Sequence, residues 1–301
     1  MKKIVVIAFA ISLFMGAAFA ERYIMITHGN GSDLFWPVVE KGGRDAALAI
    51  DSDFEYYSSS DIFGMAKLIE IAAASTPDGI IVSLPDADVL GEVIQATVNA
   101  GIPVITINSG AEFSAAVGAL MHIGQPERLA GQKAGVRAKA AGVKYGLCLN
   151  QELRNPTLID RCEGYFSGLG GSLNMIDVST DIAQIENRTA SALSIDPSID
   201  GILAVGADVC EAANNVIKSV NAEVHLACFD LSAKVMDMIE LGDVAFTMDP
   251  QQRLQGYMPV IVLHLWNTNA GILPGSNIAS GPGFVDKSNV VNVALQAGIN
   301  R

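Results

Sequence analysis

The 301-residue chain is short of positive charge: 19 lysines and arginines stand against 32 aspartates and glutamates, for a formal net charge of −13 at pH 7. A surface of that sign repels phosphate, which argues against nucleic acid and anionic membrane faces as partners. Catalytic signatures are also missing. The "GNG" at 29–31 starts like a dinucleotide fingerprint, but the pattern needs glycine at 34 and Leu34 stands there. There is no P-loop, no G-x-S-x-G and no H-E-x-x-H. The four histidines (28, 122, 225 and 264) are scattered without ligand spacing, so neither a metal site nor a cofactor is expected. His28 falls at a strand end, where a structural role is expected. Beyond residue 20 no run is long and apolar enough to read as a membrane span, and no low-complexity linker divides the chain.

The first feature present is an address. Lys2-Lys3, the apolar run "IVVIAFAISLFMGAA" and Ala18-Phe19-Ala20 before Glu21 read as a signal peptide over 1–20. No cysteine follows the run, so lipid attachment is not indicated. Export permits disulfides, and the four cysteines (148, 162, 210 and 228) allow three complete pairings.

Apolar strand-like segments lie at 23–27, 54–58, 79–84, 103–108, 145–150, 174–179, 201–206, 225–230 and 244–249. Segments of 3.6-residue periodicity such as "MAKLIEIAAAS" and "LGEVIQATVNAG" separate them. Such alternation predicts an α/β fold with parallel sheets covered on both faces. The pattern runs once from 23 to about 108 and again from about 144, which predicts two doubly wound lobes with a ligand between them.

In open α/β sheets, ligands sit beyond the carboxyl ends of the strands. The residues found there are Asp33, Phe35 and Trp36; Ser83 and Asp86; Asn108 and Ser109; Gln151, Glu152 and Asn155; then Asp208, Asp230, Asp249 and Gln251. Carboxylates and amides suit vicinal hydroxyls, and aromatic faces suit the C–H face of a sugar ring. The set predicts a small polyhydroxylated ligand, although Asp and Asn at strand ends also serve as helix N-caps. At least one of Phe35 and Trp36 is expected to contact the ligand, while the other can serve the core; if the pair covers the ligand, Trp36→Ala weakens binding without unfolding the protein.

The loop "DLFWPVVEKGGRDAA", the block "DGIIVSLPDADVLGEVIQATVNAGIPVITINSG" (78–110), "RCEGYFSGL" (161–169), "HLACFD" (225–230) and "MDPQQRLQGYMPV" (248–260) carry a resemblance that covers the whole mature chain. The sequence resembles the periplasmic sugar-binding proteins of ABC importers, of the ribose-binding type. The resemblance implies two lobes joined by a three-strand hinge, assigned here as 21–123 plus 250–279 and 124–249 plus 280–301. Gln125, Pro250 and Gly281 would lie in the hinge. It implies ligand roles for Phe35, Trp36, Asn108, Ser109, Asp230 and the Asp249–Gln251 region. The chain departs from the ribose type where Ile159 replaces a ligand-binding arginine. Arg161 matches a more structural one, and Glu152 and Asn155 are candidates for the lost role.

The function this implies is capture of a sugar, sugar alcohol or cyclitol and delivery to a membrane permease, by a periplasmic monomer with no enzymatic activity. A sensor presenting its ligand to a chemoreceptor or kinase, and an exported sugar-converting enzyme, are the alternatives. Cys148 lies on a strand and Cys162 on the helix after it, so a bridge between them is expected; Cys210 and Cys228 receive no assigned partner.

Overall fold

The structure is a computed structural model that describes residues 20–29, 34–273 and 275–301. The expected signal peptide, except for Ala20, and the candidate Asp33 lie outside the described residues. The first half contains β1 (Arg22–Thr27), α1 (Trp36–Ala49), β2 (Asp53–Ser58), α2 (Ile62–Ala74), β3 (Gly79–Ser83), α3 (Ala87–Asn99), β4 (Val104–Ile107), β5 (His122–Gly124) and α4 (Glu127–Ala140). Then come β6 (Gly146–Asn150), α5 (Pro156–Leu169), β7 (Met175–Asp177), α6 (Ile182–Ile195), β8 (Gly201–Ala204), α7 (Ala207–Val220), β9 (His225–Phe229), α8 (Ala233–Leu241) and β10 (Phe246–Asp249). The chain ends with α9 (Gln252–Thr268), β11 (Ile278–Ala279), β12 (Gly283–Asp286) and α10 (Val290–Ala294).

The strands form two six-stranded sheets, ordered β11-β5-β4-β3-β1-β2 and β12-β10-β9-β8-β6-β7. Every pairing is parallel except that of β12 with β10. In each sheet the order reverses around the first strand, β1 or β6, and beside such a switch the carboxyl ends of neighbouring strands splay apart to leave a crevice. The fold is thus two doubly wound parallel-sheet lobes. Their strands are near-continuous apolar runs because both faces are covered: Ile24, Ile26, Ile80 and Val82 pack to one side of the first sheet, and Tyr23, Met25, Ile81 and Ile105 to the other.

Two helix pairs approach unusually closely, one per lobe. In the second lobe α4 crosses α5, and a Cβ added at Gly135 would stand 1.9 Å from the Tyr165 carbonyl oxygen. In the first lobe α9 crosses α1, and a Cβ at Gly256 would stand 1.8 Å from that of Val39. The chain passes between lobes three times, from β5 to α4, from β10 to α9 and from β11 to β12. Gln125, Pro250 and Gly281 each fall in one of these passages.

Two disulfides join strands to neighbouring helices of the second lobe. Cys148 on β6 pairs with Cys162 on α5, as expected. Cys210 on α7 pairs with Cys228 on β9, which corrects the sequence reading that left both without a partner. The same geometry explains both: strand and packed helix hold the Cα atoms 5.7 Å apart in each bridge. The loops closed span 14 and 18 residues, and loops of that length correspond to about 3 kcal/mol each of restricted unfolded-state entropy. Reduction is therefore expected to lower the urea midpoint of the second lobe strongly. A midpoint that does not move with reductant, with all thiols titrated, would contradict it.

Candidate functional site

A cavity of about 240 Å³ opens between the lobes at the carboxyl ends of the strands. The first lobe contributes His28 after β1, Leu34, Phe35 and Trp36 at the start of α1, and Asn108 after β4. The second contributes Gln151, Glu152 and Asn155 after β6, Arg161 on α5, Asp208 after β8 and Asp230 after β9.

The first wall is aromatic. Trp36 begins α1 with Pro37 behind it, a residue suited to a first helical turn. Its ring meets His28 edge-on at 4.8 Å and Phe35 at 5.1 Å. It also packs against Gly29, where a Cβ would stand 2.3 Å from the indole. Trp36 is only 4 % exposed and belongs to the core with Tyr23, Met25 and Val39, whereas Phe35 is partly buried.

Asn108 and Asp230 occupy matching places in the two lobes. Both have left-handed backbones, with φ of 62° and 68°, a conformation that asparagine and aspartate tolerate better than other L-residues. Ser109 Oγ donates to Asn108 Oδ1 at 2.8 Å, and the Asn108 amide reaches Gln255 Oε1 at 3.4 Å.

Behind Asp230 lies Arg161, 2 % exposed. Its Nε and Nη2 donate to the two carboxylate oxygens of Glu127 at 2.8 and 3.0 Å, and Nη1 donates to the Val205 carbonyl at 2.8 Å. Nη1 reaches Asp230 more loosely, at 3.4 and 3.5 Å, and the guanidinium lies over the Phe229 ring at 4.4 Å. Burial opposes its charge, but Glu127 and then Asp230 outweigh burial, and the pKa stands above the ordinary arginine value. The cation is thus already committed to protein carboxylates.

The rest of the second wall consists mainly of acceptors. Glu152 accepts from Asn155 Nδ2 at 2.8 Å, and Asn155 Oδ1 caps α5 through the Thr157 N–H at 3.1 Å. Asp208 is held above the usual carboxylate range by burial and then by Glu211, against the pull of Lys234. Gln151 Oε1 is buried with no hydrogen-bond partner among the described residues.

Of the residues predicted from strand ends, Phe35, Trp36, Asn108, Gln151, Glu152, Asn155, Asp208 and Asp230 line this cavity. The others stand elsewhere. Ser83 lies behind His28, accepting its backbone N–H at 3.1 Å and meeting Nδ1 at 2.8 Å. Asp86 caps α3 through the Asp88 and Val89 N–H groups. Ser109 supports Asn108 from behind. Asp249 is fully buried, pairs with Arg301 and accepts the Gln251 N–H at 2.7 Å, while Gln251 itself starts α9 at φ 54°. His28 and Arg161 reach the cavity although the sequence suggested structural roles for both. No His, Cys, Asp and Glu grouping suited to a metal occurs among the described residues.

The architecture agrees with the comparisons. The profile of the periplasmic binding protein domain matches residues 23–265. The xylose/arabinose-binding protein of Sulfolobus acidocaldarius is 26 % identical over 290 residues, covering 89 % of this chain and 72 % of that one. A carbohydrate transporter from Acidothermus cellulolyticus, solved in complex with myo-inositol, is 36 % identical with a TM-score of 0.88, over 92 % of this chain and 97 % of that one. A periplasmic sugar-binding protein of an ABC sugar transporter from Legionella pneumophila is 25 % identical with a TM-score of 0.80, over 87 % and 99 %. By the span of the profile, and by the sequence shared with the inositol-bound structure along nearly its whole length, the chain belongs to the periplasmic binding protein family.

Proposed function

We propose that the protein is the solute-binding component of an ABC-type importer, exported to the periplasm, where it captures a cyclitol or pentose and presents it to a membrane permease. The observation that carries this reading is the division of the cavity between lobes: an aromatic wall on one side, and carboxylates and amides on the other. Aromatic faces pack against ring C–H groups, while Asp208, Glu152 and Asp230 offer charged acceptors to hydroxyls, the stronger kind of hydrogen bond. Neither half surrounds a ring alone, so the ligand favours the closed arrangement by its differential affinity for it. The hinge of that motion is assigned to the three passages through Gln125, Pro250 and Gly281. Relatives described as binding or transport proteins support a carrier rather than an enzyme.

The test is calorimetry and thermal shift with myo-inositol, D-xylose and L-arabinose, with the saturated sample examined by small-angle scattering. A ligand present at about 100 times its Kd adds about 2.7 kcal/mol of stability, and closure shrinks the radius of gyration. Absence of binding across cyclitols and pentoses removes the reading; tight binding with an unchanged radius removes the hinge.

A further inference from the structure

His28 is the one imidazole on the cavity wall. Its setting fixes more than its position. Ser83, 0 % exposed, turns its Oγ toward both the His28 backbone N–H (3.1 Å) and the ring Nδ1 (2.8 Å). The backbone N–H has only a donor to offer, so Oγ is its acceptor. The serine proton then needs an acceptor of its own, and Nδ1 is the only one within reach among the described residues. If the ring proton sat on Nδ1 instead, Oγ would accept twice and its own hydroxyl proton would be stranded in the interior. Leaving such a donor unmade disfavours that tautomer by at least about tenfold. The proton therefore sits on Nε2, on the ring edge away from Ser83. Nε2 has no partner among the described residues, and it is not one of the side-chain atoms sealed from solvent without one. The ring is steadied edge-on against Trp36 at 4.8 Å.

We propose that His28 is a specificity-determining residue: Ser83 locks it as the Nε2–H tautomer, and that N–H donates to a ligand oxygen facing the first lobe. The proposal rests on the carrier reading above and sharpens it. The opposite wall is rich in acceptors, so hydroxyls there give their protons to Glu152 and Asp208. The first lobe must supply donors to ring or hydroxyl oxygens, and His28 joins the Asn108 amide in doing so. Burial holds the imidazole pKa below its ordinary value, against the pull of Glu152, so the ring stays neutral and the tautomer matters. Ser83 acts through His28 and is a positioning residue.

The experiment uses the mature full-length chain labelled with 15N-histidine. Long-range proton–nitrogen correlation, assigned by comparison with His28→Phe, should show Nδ1 unprotonated and Nε2 protonated before ligand is added. A predominant Nδ1–H signal overturns the proposal. Calorimetry with whichever of myo-inositol, D-xylose and L-arabinose binds the wild type should show at least about a tenfold affinity loss in His28→Phe. His28→Gln, which restores a side-chain N–H donor, should regain part of it. Ser83→Ala should weaken binding in the wild type yet cost nothing further in the His28→Phe background, a dependence that general loosening of the fold does not produce. Wild-type affinity in both His28 variants overturns the proposal. If none of the three compounds binds the wild type, the carrier reading falls, and the imidazole spectrum still decides the tautomer.

Discussion

Arg161→Met should lose about 3–5 kcal/mol of folding stability, the usual cost of leaving a buried charge without its partner. That is a large share of the roughly 5–15 kcal/mol that holds a protein folded. The reason lies in the chain of contacts. Glu127, 7 % exposed, is neutralised by two guanidinium hydrogen bonds and, among the described residues, otherwise keeps only the Gln125 side-chain amide at 2.8 Å. Methionine fills similar volume but strands that carboxylate. Glu127→Gln combined with Arg161→Met removes both charges and should recover much of the loss. Urea denaturation measures all three proteins. A single variant within about 0.5 kcal/mol of wild type, the range of neutral surface substitutions, would show that the pair adds nothing net. A double variant no better than the single one would place the cost in packing against Phe229.

The two aromatics of the first loop should separate cleanly. Trp36→Ala empties a core site and should cost about 3–5 kcal/mol of stability. The stability loss follows from burial, because the indole packs with Tyr23, Met25 and Val39 and against Gly29 while its edge still lines the cavity. Phe35, less buried and on the same wall, should show the opposite balance in Phe35→Ala: modest loss of stability and clear loss of affinity. Paired melting and calorimetry decide it. Equal loss of stability in both variants would mean that the two rings share one structural task.

The nine strands named from the sequence all form, because buried parallel strands write themselves as apolar runs between helical periods. The edges were harder. β11 has two residues, Ile278 and Ala279, too few for any alternation to show, and β12 hides in a Gly/Pro-bounded stretch. Strand-end position found the cavity but could not tell its wall from what lies behind it. Ser83 ends β3 and supports His28, which lies just past the end of β1; their order along the line of sight depends on how the strands are staggered. Asp86 is a helix cap, a role its sequence context permits equally well. Arg161 was legible as a structural arginine, yet its reach to Asp230 depends on α5 lying across the end of β9, which is tertiary information. The second disulfide was missed because the strand-then-helix logic used for Cys148 and Cys162 was not applied to the helix-then-strand order of Cys210 and Cys228.

The close crossing of α9 over α1 also has a temporal side. Synthesis delivers a chain from its N-terminus, and the first lobe is written in two pieces with the second lobe between them. When β5 has been made, one face of the first sheet still lacks the Val260, Val262 and Leu263 that cover Tyr23, Met25 and Ile81. Strands β6 to β10, by contrast, arrive in one uninterrupted stretch. The first lobe must therefore wait for α9 to complete that face, which α1 covers only in part until then, and the second lobe in turn gains its edge strand β12 and α10 last of all.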